Sequence, residues 1–391
     1  MTQGAAPPPT DPPAPAGGSS AHEFKLRAAL EEMVRRKASD LHLKVGRAPV
    51  LRIFGELIEL QQPPLRPEDA RRCAEQILLP ELRDTFAERH EVDFAIGVQG
   101  LGRFRVNLFQ QRGTVRFAFR AIPFEIPSLR DLELPPILEQ IAVTSRGIVL
   151  VTGITGSGKS TTLAAMLRYI NENRAVNVVT IEDPIEFLYR DQKSLISQRE
   201  VGSDTLSFHE ALRHVLRQDP DVIMLGEVRD QVSMDTCLKA ANTGHLVFST
   251  LHTTDAPRSI SRIVSFFPPH EHQEVRELLA DSLRAVISMR LIPRADGQGR
   301  VPALEIMLNT AAISDRIRTG EQLHTLPDLI SEGRTQYGMQ TFDQSLMDLY
   351  RSDSISFETA LQYATNQADF KLRASGVEAA SDMSWDAGLG G

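Results

Sequence analysis

From Glu23 onward the chain shows two successive kinds of hydrophobic spacing. In EFKLRAALEEMVRRKA, the residues Phe24, Leu26, Leu30, Met33 and Val34 recur near the 3.6-residue period of a helix. The runs DLHLKV, PVLRIFG and, after a helical interval, EVDFAIG, GRFRVNLFQQ and TVRFAFRAI alternate apolar with polar side chains. A period of two predicts an antiparallel sheet with one wet face, so residues 22–122 read as a small α+β domain. Pro123, Pro127, Pro135 and Pro136 punctuate the next stretch, 123–145, which reads as a linker. Beyond Arg146 the strands GIVLVTG, NVVTIED, DVIMLGE and HLVFSTL are apolar throughout and separated by helical segments. Such strands are covered on both faces, which predicts a parallel sheet in an α/β core over 146–310. The last hundred residues read as helical, with a helical C-terminal region at 311–373. There, Met339, Phe342, Leu346, Leu349 and Tyr350 share one face, and SFETALQYA forms a further short helix.

The two ends differ from the rest. Residues 1–21 are Pro-, Ala-, Gly- and Ser-rich, and 374–391 carries Glu378, Asp382 and Asp386 without a Lys or Arg. Neither has enough apolar surface to offset the entropy of ordering, so both are expected to be disordered. The single Trp, Trp385, lies in the second.

At 391 residues the chain has room for two or three domains. A net charge of −8 argues against a duplex nucleic-acid partner, which demands a basic face, and leaves a nucleic-acid translocase as a lesser alternative. The two cysteines, Cys73 and Cys237, have no CxxC partner, which excludes a cysteine zinc site or disulfide framework and suits a reducing cytoplasm. No apolar stretch approaches the ~20 residues of a membrane span, and the N-terminus lacks a basic-then-apolar start. No signal peptide and no direct membrane insertion are therefore expected, and membrane association would be peripheral, through a partner.

The chemistry concentrates at strand ends. GITGSGKS, Gly153 to Ser160, fits Gly-x-x-x-x-Gly-Lys-[Ser/Thr] and follows the apolar run Ile148 to Val151. Gly153, Gly156 and Gly158 let the backbone curl with its amides inward, together with Thr155, Ser157 and Thr161, and a helix begins near Lys159. Inward amides and a helix N-terminus bind phosphate oxygens. Lys159 would reach the β- and γ-phosphates and the Ser160 hydroxyl would ligate Mg²⁺ of bound ATP. In DPDVIMLGEVRD, Glu227 follows the strand at the sheet edge where ligands bind and is assigned as the group that polarises the attacking water. Asp221 and Asp230 read as structural or solvated. NVVTIEDPIEF ends in Glu182, Asp183 and Glu186 around Pro184, an acidic cluster suited to metal and water coordination. GHLVFSTLHT is bracketed by His245 and His252; their spacing lets at most one face the nucleotide, and His252 is the candidate γ-phosphate sensor. Arg103 and Arg105 share one strand face, as do Arg116 and Arg120. Guanidinium groups can stabilise transition-state charge on a phosphoryl group, or simply pair with acids on a sheet surface.

Taken in order, GITGSGKSTTLAAM, TIEDPIEF, QREVG, RQDPDVIMLGEVRD, ANTGHLVFSTLHTTDA and GMQTFDQSL resemble the type IV pilus retraction ATPases, the PilT and PilU family of secretion-type hexameric motors. The resemblance covers about residues 23–373. It implies a RecA-like P-loop core, a PAS-like N-terminal domain beginning at SDLHLKVGRAPVLRIFGEL, and ATP hydrolysis that drives pilus retraction and twitching motility. It places the Walker A motif on Gly153–Thr161, an acidic box on Thr180–Glu186 with Glu186 its usual carboxylate and a water-mediated Mg²⁺ contact, Walker B on Val222–Glu227, and a His box on Gly244–His252. Arg105 and Arg120 match arginines that approach the nucleotide from the N-terminal domain, and AISDRIRTGE, 312–321, matches the family's C-terminal motif. A homohexamer at the cytoplasmic face of the inner membrane is implied, working on an inner-membrane platform protein and, in PilU-like members, with a paralogous retraction ATPase. MLNTAAISDRIRTGE, GMQTFDQ and the acidic tail are PilU-like, whereas GEVRD and LHTT are closer to PilT. The absence of the tetracysteine motif of extension ATPases favours retraction.

Overall fold

The alternation in GRFRVNLFQQ is realised, in a computed structural model describing residues 24–123 and 125–375, as a strand that buries Phe104, Val106 and Leu108 and leaves Arg105 exposed. The expected disordered segments, 1–21 and the tail from Gly376 with Trp385, lie outside the described residues. The chain divides into two units at Ala121/Ile122.

The first unit runs α1 (Leu26–Arg35), β1 (Asp40–Lys44), β2 (Val50–Ile53), β3 (Glu56–Glu59), α2 (Pro67–Ile77), α3 (Pro80–Arg89), β4 (Glu91–Val98), β5 (Gly102–Gln111) and β6 (Thr114–Ile122). Its sheet has the order β3-β2-β1-β6-β5-β4, with β1 antiparallel to β2 and β6. The amphipathic face of α1 places Leu30 and Met33 in a core with Leu41, Leu43, Leu51, Phe117 and Phe119. The last two rings stack with centroids 5.8 Å apart. PVLRIFG does not continue as one strand: the chain reverses at Phe54 and Gly55, both at positive φ, and β3 returns along β2.

The second unit contains α4 (Ile137–Ala142), β7 (Gly147–Thr152), α5 (Lys159–Asn173), β8 (Asn177–Glu182), β9 (Leu195–Glu200), α6 (Phe208–Val215), β10 (Val222–Leu225), α7 (Gln231–Asn242), β11 (Leu246–Leu251), α8 (Ala256–Ser265), α9 (His272–Ser282), β12 (Leu283–Pro293), β13 (Arg300–Leu308), α10 (Ala311–Thr319), α11 (Leu326–Glu332), α12 (Arg334–Tyr337), α13 (Phe342–Arg351), α14 (Phe357–Tyr363) and α15 (Gln367–Ala374). The sheet order is β13-β12-β7-β11-β10-β8-β9, parallel from β12 to β9, with β13 antiparallel at one edge. Every residue of β7, β10 and β11 is buried. Along β7, Ile148 and Leu150 enter one hydrophobic layer and Val149 and Val151 the other, so the sheet is covered on both faces.

Two expectations change. Residues 123–145 are not a bare linker, because Leu129, Leu134, Leu138 and Ile141 are buried in the same layer as Val149 and Leu167. The prolines interrupt backbone pairing there without keeping the leucines between them from the core. The last hundred residues are not all helical either. β12 and β13 form a long antiparallel hairpin whose inner residues, such as Ile287, Met289, Ala303 and Ile306, are buried on both faces and so carry no alternation to read. The helices α10 to α15 follow it. The motif AISDRIRTGE forms α10, which buries Ile313 and Ile317 and ends at Gly320 in the left-handed region. Among the described residues no helix is long and apolar enough to cross a membrane.

Candidate active site

Because β7, β8, β10 and β11 run parallel, the loops after them open on one edge of the sheet, where crossover geometry leaves a crevice. A cavity of about 540 Å³ lies at that edge. Thr155, Gly156, Gly158, Lys159, Ser160 and Thr161 line it from the loop after β7 and the first turn of α5. Gly158 caps α5 at φ 98°, and Gly156 has φ 76°; both values favour glycine in the turn that leads into α5. Gly153 and Ser157, expected to bind ligand, are not among the lining residues. They form the underside of the loop, where a Cβ on Gly153 would come 2.7 Å from the Met289 carbonyl and collide with the Ser157 hydroxyl. Gly153 is required there for close packing.

The Lys159 ammonium donates to the carbonyls of Gly153, at 2.9 Å, and Ile154, at 3.0 Å. Burial draws its pKa below the ordinary lysine value, and the carboxylates of Glu227 and Glu186 oppose that shift. The ammonium is thus held over the loop and partly stripped of water.

Glu227 is positioned by the strand ends around it. The Gly226 amide donates to the Ile181 carbonyl at 2.9 Å, the Thr250 hydroxyl to the Gly226 carbonyl at 2.7 Å, and the Val228 amide to the Thr250 carbonyl at 3.2 Å. β8 and β11 thus fix the backbone on both sides of Glu227. Its carboxylate meets His252 Nε2 at 3.4 Å and the Arg229 guanidinium at 2.8 Å. His252, just past β11, lines the cavity, whereas the His245 ring is turned to the Ala240 carbonyl at 2.9 Å and Thr243 Oγ1 at 3.2 Å. Asp230 caps α7 through the Ser233 amide and Asp221 accepts from the Asn177 amide, both at 2.8 Å.

The acidic cluster separates by burial. Glu182 accepts from Thr180 Oγ1 at 2.7 Å and Gln198 Nε2 at 3.2 Å, and burial pushes its pKa up. With Glu200, which accepts the Ile185 amide at 3.2 Å, it holds the turn that presents Asp183 and Glu186, both exposed at the cavity. Sequence reasoning did not single out Arg229, Arg300, Leu291, Tyr189 or Phe208, which also line the cavity. Arg229 stands inside the GEVRD string; Arg300 and Leu291 arrive from the hairpin that the sequence pattern did not reveal.

In the first unit, Arg105 is exposed on β5 opposite Ala95, with Arg103 half-buried beside it. Arg120 Nε donates to Asp40 Oδ1 at 2.9 Å on the neighbouring strand β1, and Arg116 stacks over Phe109 at 5.6 Å.

Residues 17–382 match the family model described as type II/IV secretion system protein. The chain is 43% identical over 349 residues to the type IV pilus ATPase PilU of Pseudomonas aeruginosa, covering 89% of this chain and 91% of that one. The PilT retraction ATPase of the same organism is 44% identical over 336 residues, covering 86% and 97%. A crystal structure of the pilus retraction motor PilT with bound ADP superposes with a TM-score of 0.80 at 42% identity, over 89% of this chain and 99% of that one. The chain belongs to the PilT/PilU family of ATPases. As a member of that family it is an ATP hydrolase and binds nucleotide. The near-equal identities do not favour PilT over PilU.

Proposed function

We propose that this PilT/PilU-family ATPase is a homohexameric, Mg²⁺-dependent motor that powers type IV pilus retraction from the cytoplasmic face of the inner membrane, through a platform protein. The observation that carries the reading is the meeting of Lys159 and Glu227 in one cavity, in a chain 42% identical to a solved retraction motor. In this proposal the loop amides and Lys159 hold the β- and γ-phosphates and stabilise charge as it develops. Glu227 aligns the attacking water, and His252 holds Glu227 and senses the γ-phosphate. Arg105 and Arg120 are proposed to bring guanidinium groups to the phosphates when nucleotide binds, so that binding and release drive the stroke.

The donors at the mouth of the loop suit a small, hard cation: the Ser160 hydroxyl at the start of α5 and the exposed Glu186 carboxylate both face the cavity. Ser160 would hold Mg²⁺ directly and Glu186 through water. When bound, the ion neutralises phosphate charge. Scoring a deletion strain for surface pili and movement tests the reading: pili retained with movement lost supports retraction, and bare cells contradict it.

A second reading has its own support. The PilU-like C-terminal residues, GMQTFDQ among them, support an accessory ATPase that acts through a partner motor. Hydrolysis and retraction restored in a strain lacking every related motor would exclude that dependence.

A further inference from the structure

Glu305 is a buried carboxylate that hydrolysis does not obviously need. It sits on β13, opposite Ser288 of β12, at 5% exposure. Its Oε1 accepts the amide of Ala256, the first residue of α8, at 2.7 Å. That contact joins residues 49 apart in sequence. It attaches the start of α8 to the hairpin.

The segment between β11 and α8 is His252-Thr253-Thr254-Asp255, and its last three residues are bound into the first turn of α8. Asp255 caps the helix through the Arg258 amide at 2.9 Å. Ser259 Oγ donates to the Asp255 carbonyl at 2.7 Å and contacts Thr253 Oγ1 at 2.6 Å, while Arg258 reaches Thr254 Oγ1 at 2.6 Å. Thr253, Thr254 and Asp255 are locked to the helix start and move with it, and His252 follows through its peptide bond to Thr253. His252, at the head of the segment, is the residue 3.4 Å from Glu227.

The same hairpin carries the C-terminal helices. Arg290 on β12, whose charge acts on Glu305, donates to the Tyr363 carbonyl at 2.9 Å and lies 3.8 Å over the Phe342 ring. Ser345 of α13 accepts the Leu304 amide, one residue before Glu305, at 3.1 Å.

From these contacts we propose that Glu305 is a positioning residue: it tethers the start of α8, and through it His252, to the β12–β13 hairpin that bears the C-terminal helices. The proposal rests on the reading of His252 and Glu227 as hydrolytic residues. Glutamine keeps a side-chain oxygen for the Ala256 amide; alanine removes it and leaves that buried donor unpaired.

The test is a kinetic cycle on the full-length protein with Glu305→Ala, Glu305→Gln, His252→Ala and the double variant Glu305→Ala/His252→Ala, with binding of a fluorescent ATP analogue confirming a folded site. The expected result is a fall in kcat of about tenfold or more for Glu305→Ala with KM for ATP little changed, and near-wild-type kcat for Glu305→Gln. In the double variant, removing Glu305 adds nothing to the loss from His252→Ala, because the two act as one unit. Additive losses, or a Glu305→Gln protein as impaired as Glu305→Ala, overturn the tether while leaving His252 as a site residue. A His252→Ala protein with wild-type kcat overturns the reading of the site and the tether with it. Should Glu305→Ala fail to bind the analogue, Glu305→Gln decides alone: wild-type kcat supports the tether and a loss refutes it.

Discussion

His252 Nε2 lies 3.4 Å from one Glu227 carboxylate oxygen, and the Arg229 guanidinium lies 2.8 Å from the other. Glu227 is thereby contacted from both sides in the cavity lined by the loop after β7. A carboxylate fixed in this way meets a water molecule without first having to reorganise, which is where preorganised sites gain rate. His252→Ala removes one of the two contacts. Loss of this 3.4 Å contact frees one carboxylate oxygen of Glu227, so kcat should fall about tenfold or more with KM for ATP nearly unchanged. Steady-state hydrolysis measures both constants, and a rise in KM at constant kcat would place His252 in binding instead.

Arg120 offers a cleaner separation of structure from function. Its pair with Asp40 is on the surface, with the Arg120 side chain 68% exposed, and exposed pairs are worth at most about 1 kcal/mol. Arg120→Ala should therefore leave the thermal midpoint within a few degrees of wild type. If its guanidinium serves the γ-phosphate, kcat drops about 10³-fold or more in the same protein. Unchanged hydrolysis would reduce Arg120 to a surface partner of Asp40.

Much of this was legible in the sequence because the signals are local. The phosphate loop is a contiguous motif with its strand and helix attached, and the apolar runs of β7, β10 and β11 announce strands covered on both faces. The β12–β13 hairpin was not legible, since burial on both sides erases the alternation that marks a sheet with one wet face. Leu129 to Ala142 were hidden by the prolines around them. Arg300, Leu291 and Glu305 owe their positions to that hairpin, so nothing in the neighbouring sequence marks them. Among Glu182, Asp183 and Glu186 only the resemblance singled out Glu186; the burial of Glu182 was not legible in the residues, because it depends on Thr180 and Gln198 closing over one of the three.

Glu305 also predicts a pH signature. Burial raises its carboxyl from 4.5 to about 7, with Asp255 and Asp343 adding to the shift and the Ala256 amide and Arg290 opposing it. The folded protein therefore favours the protonated form. The stability this group contributes is fully present below pH 4.5, and it is lost as pH rises through about 7. Glu305→Gln cannot titrate. The difference in thermal midpoint between wild type and this variant should fall over that interval, against wild type, and level off above it. A difference that does not change with pH would show that Glu305 ionises as it does in the unfolded chain.

The most direct test is a single-turnover measurement on purified Glu227→Gln protein with Mg²⁺ and ATP. If Glu227 aligns the water and Lys159 with the loop holds the phosphates, the variant binds ATP about as tightly as wild type and hydrolyses it about 10²-fold or more slowly. Hydrolysis at the wild-type rate would mean that another group activates the water, and the site as built here would be wrong.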